Sequence, residues 1–362
     1  MDELQLDLFA DLPDEPATFV RIPSSALPPR AAVPPRRKVA PITVGQGALI
    51  EAPAPPPNAP VPAKRRPRRK LGFRRPTESA RDLAEACAIA WHGHHGGGRM
   101  EIPVGIVATL ALLPFRGDDL VALEGWILGL DDQQLWKLYE EVWALRWIQA
   151  PHLIGRCGIL SQWLEQEEPD RNLRAAVRAV TERAIQYGVL ELAANELPGN
   201  LDVDLMSWMV TSLRSKGARE GLGEYHTPPE VCDMIARVTI GGMDEIRPGM
   251  SFLEPASGTG GMVRSMASAL RDLGHDPADM LWVMVDIDAI AVAGAAVNAI
   301  LWELGGNVAV IRGDSLAEGD IGNRAIREAA EMIEHRDRLR GTAAMVAAIQ
   351  RAERMLSLAK AA

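Results

Sequence analysis

The stretch FLEPASGTGGM, residues 252 to 262, constrains the fold more than any other part of this chain. Two apolar residues, Phe252 and Leu253, lead into an acid, Glu254. A loop with Gly258, Gly260 and Gly261 follows, and then a helix-like run from Met262 to Leu273. A strand that passes through an acid and a glycine-rich turn into a helix is the opening of a parallel βαβ unit. Glycine in such a turn takes positive φ at little cost and lets the backbone come close to a ligand. The unpaired N–H groups of the helix start face the same way. The order therefore suits a nucleotide-type cofactor at the rim of a parallel sheet.

The sequence around this block alternates as the reading requires. PPEVCDMIARVTI is a helix opened by Pro228 and Pro229, where proline is tolerated. MSFLEP is a strand and VRSMASALRDLG a helix closed by Gly274. LWVMVDID is a second strand, AIAVAGAAVNAILWELG a helix closed by Gly305, and NVAVIRGDSL a third strand with its turn. This is β-α-β-α-β, an α/β half-sheet of about three parallel strands of the doubly wound, Rossmann-like kind. No further strand is expected after Leu316, where a tail of one or two long charged helices begins. Those helices could form a hairpin or a partner-binding coil. The favoured expectation is that they cover the open edge of the sheet.

Upstream the chain has a different character. Residues 10 to 63 are rich in proline and alanine and cannot bury enough apolar surface to offset the entropy of ordering, so disorder is expected. From Thr77 helical spacing sets in over 78–91, and HGHHGGGR at 92–99 reads as a loop. Two helices follow in LVALEGWILGL and QLWKLYEEVWALRWIQAPHLI, and one strong helix in LRAAVRAVTERAIQYGVLELAA over 173–194. LMSWMVTSLRSK is a further helix before the loop GAREGLGEYHTP. The organisation read from this is a tail at 1–77, an all-helical domain at 78–215, a cofactor-binding domain at 216–318 and C-terminal helices at 319–362.

Composition sets the outer bounds. Hydrophobic residues make up 47% of 362, enough for a sizeable core. Cys87, Cys157 and Cys232 are far apart and lack metal spacing, which argues against a disulfide framework and for a reducing compartment. With no 18-residue apolar run and an acidic start, MDELQLDLFADLPDEP, neither a membrane span nor a secretory signal is expected, and a cytoplasmic location is. His92, His94 and His95 have no Cys or Asp at ligand spacing, so no metal site is expected. Trp126, Trp136, Trp143, Trp147 and Trp163 could stack on bases, but at helical spacing they read as core.

Four short elements fall in a fixed order at roughly thirty residues per βα unit. They are GEYHTP at 223–228, FLEPASGTGGM, VDID at 285–288 and RGDSL at 312–316. Asp286 closes the second strand, where an acid can accept from ribose hydroxyls. Asp314 closes the third, where an acid can accept from an exocyclic amine. With these four elements the chain resembles the adenine-specific DNA methyltransferases of the N-6 class, particularly the modification subunit of type I restriction systems, over about 200–318. The resemblance implies an S-adenosylmethionine-dependent methyltransferase fold and S-adenosylmethionine as cofactor. It implies that Tyr225 and Thr227 of G-[EQ]-[FY]-x-T-P border the cofactor pocket. The loop Glu254, Ala256, Ser257, Gly258, Thr259, Gly260 and Gly261 would hold the cofactor, with Glu254 at the methionine amine. Asp286 would meet the ribose with Ile287 beside it, and Asp314 the adenine.

One element of that family's pattern is missing from this sequence. The [NDS]-P-P-[FYW] segment, which holds a flipped adenine by stacking and hydrogen bonds, has no counterpart. PPPNAP at 55–60 lacks the aromatic, TPPE at 227–230 belongs to the first motif, and no Phe, Tyr or Trp follows Trp302. No catalytic residue is therefore assigned. Two readings follow: a methyltransferase subunit whose base pocket comes from another chain, such as a specificity or catalytic partner, or an inactive cofactor- and DNA-binding accessory protein. Two tail features bear on partners. KRRPRRKLGFRRP, with Lys64, Arg65, Arg66, Arg68, Arg69, Lys70, Arg74 and Arg75 and no acid, suits DNA phosphates. QLDLF, with Gln5, Leu6, Leu8 and Phe9, resembles the peptide that docks bacterial proteins on the replicative sliding clamp.

Overall fold

The structure is a computed structural model that describes residues 76–114, 120–165, 170–194, 203–214, 227–243 and 245–361. The tail with QLDLF and the basic run, and the GEYH part of the first motif, lie outside the described residues.

The helical part comprises α1 (Pro76–His95), α2 (Glu101–Ala111), α3 (Leu120–Gly129), α4 (Asp132–Gln149), α5 (Pro151–Ile154), α6 (Gly158–Ser161), α7 (Arg171–Gln186), α8 (Val189–Ala193) and α9 (Leu205–Leu213). α2 is buried from Ile102 through Ala111 and forms the centre of this part. α1 packs on α7 and α9 around it. Polar caps fix several helix starts. Asp131 and Gln134 form a reciprocal capping box on α4, Asp170 caps α7 through the Leu173 amide, and Asp204 caps α9 through the Ser207 amide.

Three expectations need correction here. The histidine segment is the last turn of α1 rather than a loop, held by the stacking of His95 on Trp91 at 4.3 Å; the loop starts at Gly96. The helix expected over 173–194 breaks at Gly188, whose φ of +84° is left-handed and ends the ladder. The helix expected to continue through QAPHLI breaks at Ala150 and Pro151, because proline supplies no N–H to extend it. The tryptophans serve the core as expected: Trp163 and Trp143 are buried, and Trp136 donates to the Leu164 carbonyl at 3.1 Å.

The sheet follows α10 (Pro229–Gly241). It consists of β1 (Ser251–Glu254), α11 (Gly261–Asp272), β2 (Leu281–Asp286), α12 (Ala289–Leu301) and β3 (Val308–Arg312), and α13 (Ile321–Ala361) ends the chain. The strands are parallel in the order β1-β2-β3, with Phe252 beside Trp282 and Trp282 beside Val308. Alternation along the strands divides the side chains between two layers. Trp282, Met284, Val308 and Val310 join α11 and α12 in a core continuous with the helical part. Val283, Val285, Ala309 and Ile311 face Ile321, Ala325, Ile326 and Ala329 of α13.

The C-terminal tail is thus a single helix, and it covers a face of β2 and β3 rather than an edge. The edge at β3 is closed by α5, which touches β3 as well as α12 and α13 on the opposite faces. Among the described residues β1 has extensive contact only with β2, and α10 only with α11. α10 buries Cys232, Ala236 and Ile240 and leaves a second apolar row, Val231, Met234, Ile235 and Val238, exposed.

Candidate cofactor site

The tips of the three strands are tied together by backbone and carboxylate bonds. The Ser257 amide donates to the Val285 carbonyl at 2.8 Å and so lays the glycine loop across the end of β2. Asp286 then takes two amides, Gly258 at 2.7 Å on one oxygen and Asp288 at 2.9 Å on the other. Its own carbonyl accepts from the Gly313 amide at 3.0 Å, which draws in the turn after β3. Asp314 holds that turn by accepting from the Leu316 amide at 2.9 Å and the Ala317 amide at 3.3 Å. Arg312 donates to the Ile287 carbonyl at 3.0 Å, and the Ile287 side chain is left 66% exposed beside the loop. Glu254, Gly258, Asp286, Ile287 and Asp314 therefore share one rim at the carboxyl ends of the strands, where open α/β sheets take ligands.

The loop is shaped by two glycines that differ in what surrounds them. Gly260 has φ +97°, and a Cβ there would meet the Trp302 ring at 2.9 Å, so the loop sits directly on that indole. A Cβ on Gly258, at φ +53°, would meet nothing within 4 Å, so this side of the loop opens to free space. The loop then enters α11, with the Arg264 amide bonded to the Gly260 carbonyl at 2.9 Å.

Charge at the rim is acidic. Glu254 is half-buried, and its carboxylate accepts from the Ala256 amide at 3.2 Å. Burial pushes the Glu254 carboxyl above its usual range, the Ala256 amide opposes this in part, and the neighbouring Asp286 charge pushes it further up. Two neighbouring carboxylates on the rim beside the open side at Gly258 suit a positive group. That pair, the open side at Gly258 and the exposed Ile287 fit the ammonium, the loop-facing chain and the ring of S-adenosylmethionine in kind.

Other expected residues stand apart. Thr227 is exposed just before α10, which packs on α11. In that packing Asp233 accepts from Arg264 at 2.8 Å and from Ser265 at 2.5 Å. Tyr225 and the basic run lie outside the described residues.

The motif reading also passed over a set of residues that hold the site from behind. Asp288 caps α12 through the Ile290 amide at 3.0 Å and pairs with Arg214 at the end of α9. Asn298, fully buried, donates to Asp204 at 2.7 Å and to the Thr259 carbonyl at 2.9 Å. Trp302 donates to the Val203 carbonyl at 2.9 Å. The signal available in the sequence was an asparagine in the otherwise apolar run AAVNAILW.

The model of the family described as N-6 DNA Methylase matches residues 204–332, from the cap of α9 into α13. No curated protein matches the chain. The match takes in every strand of the sheet, the glycine loop, and the acids of the rim. Residues 204–332 belong to the N-6 DNA methylase family.

Proposed function

We propose that this protein binds S-adenosylmethionine on the rim formed by Glu254, Gly258, Asp286, Ile287 and Asp314, as the cofactor-holding part of an adenine-specific DNA methyltransferase resembling a type I modification subunit. The observation that carries the reading is Asp286, which fixes Gly258 and Asp288 at once and so holds the loop and both neighbouring turns in one geometry. When bound, the cofactor supplies a transferable methyl group on a sulfonium. The chain's own contribution is to hold it: Glu254 accepts from the ammonium, Asp286 turns its remaining lone pairs to the ribose, Ile287 packs against the ring, and Asp314 accepts from the ring's amine.

Base recognition comes from a polypeptide segment other than these 362 residues, which contain no Asn-Pro-Pro-aromatic element. The strand order supports this. A doubly wound sheet of this kind continues beyond its first strand into a second half, and among the described residues β1 is an edge. The occupant of that edge is a chain carrying the second half-sheet. The basic run from Lys64 to Arg75 serves the DNA backbone, and Gln5 to Phe9 a sliding-clamp tether.

Calorimetry tests the reading. The full chain binds S-adenosylmethionine, and Asp286→Ala, which removes a charge-assisted acceptor and releases the loop, weakens binding by about 100-fold. No heat of binding from the intact protein overturns it. The pure chain transfers no labelled methyl to DNA. Transfer by the pure chain would overturn the claim that the base site lies elsewhere.

A further inference from the structure

We infer that Gly294 and Asn298 of α12 and Trp302 at its C-cap, spaced one turn apart, form a seat that positions the glycine loop for its cofactor, and that Asp204, the cap of α9, sets the seat. The inference rests on the cofactor reading above and concerns residues that do not themselves reach the rim.

The spacing i, i+4, i+8 places the three on one side of the helix. Each meets a different part of the loop or of its support. Gly294 leaves room for Thr259, whose Cγ2 would lie 2.9 Å from a Cβ at this position. Asn298 donates to the Thr259 carbonyl at 2.9 Å. Trp302 carries Gly260 on its ring, close enough to exclude any Cβ there. A helix that only needed to bury this side would carry apolar residues, as α12 does at Val292, Ala293, Ala295, Ala296 and Val297.

The hydrogen-bonding state of Asn298 sharpens the point. Its amide nitrogen has two acceptors, the Asp204 carboxylate and the Thr259 carbonyl, while its own oxygen is buried without a partner among the described residues. An orphaned buried acceptor is destabilising. A side chain chosen only for stability would avoid it. The residue is present for its two donors, and the two donors join α9 to the loop. Trp302 makes the same connection by donating to Val203, the residue before Asp204. At the far end of α9, Arg214 pairs with Asp288, whose amide is bound to Asp286. The helical part thus grips the loop and the rim acid from the two ends of one helix, and Asn298 is a positioning residue that acts through Thr259.

An exchange of the two partners separates positioning from mere packing. In Asp204→Asn with Asn298→Asp a donor again stands between the two side chains, but the Thr259 carbonyl loses its donor. The exchange also brings a carboxylate into a fully buried position against a carbonyl, so the variant melts below the parent, and at a temperature where both are folded it binds S-adenosylmethionine at least tenfold more weakly by calorimetry. Binding within twofold of the parent overturns the proposal. Gly294→Ala keeps every hydrogen bond and adds a methyl against Thr259, so it tests the seat if the exchanged protein does not fold. It also binds at least tenfold more weakly, and parental affinity overturns the proposal. Hydrogen exchange without ligand distinguishes failure of the seat from failure of the cofactor reading. The amides from Ser257 to Gly261 exchange faster in both variants than in the parent, and unchanged exchange overturns the seat whether or not the parent binds S-adenosylmethionine.

Discussion

β1 and β3 are the two edges of one three-stranded sheet, and they end in different ways. β3 is buried along Val308–Ile311, flanked by α12 and α13 and closed by α5. β1 alternates between exposed and half-buried residues and has β2 as its only extensive neighbour among the described residues. α10, packed on α11, carries an apolar row on its exposed side, with Met234 at 60% and Val238 at 71% exposure. The difference teaches where the fold is self-sufficient. The β3 side is finished by the chain's own helices. On the reading proposed above, another structure completes the β1 side, next to the cofactor loop, because a strand edge unpaired among the described residues and an apolar helix row are both costly to leave in water.

The largest expected effect sharpens that contrast directly. Ile311→Ala empties a fully buried position between β3 and α13 and costs about 2–5 kcal/mol in denaturant unfolding. Leu253→Ala, on the same face but at the open strand, costs less than about 1 kcal/mol. Equal losses would show that β1 is as well enclosed as β3 and would break the comparison.

The two sides also respond to pH with opposite signs. His152 of α5, at the closed side, is buried with neither ring nitrogen partnered among the described residues. Burial, with Arg336 and Arg156 nearby, pushes its pKa down to about 4 from 6.5. Between those values the unfolded chain binds the proton and the folded one does not, so stability falls as the medium is acidified from about pH 6.5 to 4, by roughly 3 kcal/mol in all. His152→Leu flattens that limb of the curve. Glu254 at the open side has its carboxyl pKa raised, so its contribution is present in acid and is lost as pH rises through the raised value. Glu254→Gln therefore raises the melting temperature at neutral pH while weakening S-adenosylmethionine binding by about tenfold. A fall in melting temperature for that variant would show that Glu254 supports the fold.

The smallest effect on stability has the clearest consequence for assembly. Met234→Lys with Val238→Lys on α10 changes unfolding free energy by no more than about 0.5 kcal/mol per site, as exposed positions do. On the reading proposed above, the same pair abolishes complex formation with a polypeptide that supplies the second half-sheet, measured by sedimentation. A loss of several kcal/mol would instead show that this row is packed.

Much of this arrangement was legible in the sequence, and the reasons differ by region. The strands, the glycine loop and the acids at Asp286 and Asp314 were readable because short apolar runs between turn residues repeat at the βα period. The breaks at Gly188 and Pro151 carried local signals, but strong helical spacing on either side masked them. The stacking that keeps the histidines in α1 depends on Trp91 lying one turn before His95, and no propensity scale reports it. The layer covered by α13 could not be read, since a charged helix with scattered apolar positions suits an edge or a face equally. Asn298 stayed hidden because its partners Asp204 and Thr259 are 94 and 39 residues away. A buried polar residue declares its role only when the chain brings its acceptors to it.

The indole under Gly260 gives the loop an optical label of its own. Trp302 is one of nine tryptophans, and its ring supports the turn that a bound cofactor would press upon. Movement of that turn changes the dielectric surroundings of this ring before that of the tryptophans in the helical core. Because Trp302→Phe would itself disturb the seat, the label is read in the parent, where the change in intrinsic fluorescence on titration with S-adenosylmethionine turns the seat of the loop into a gauge of its occupancy.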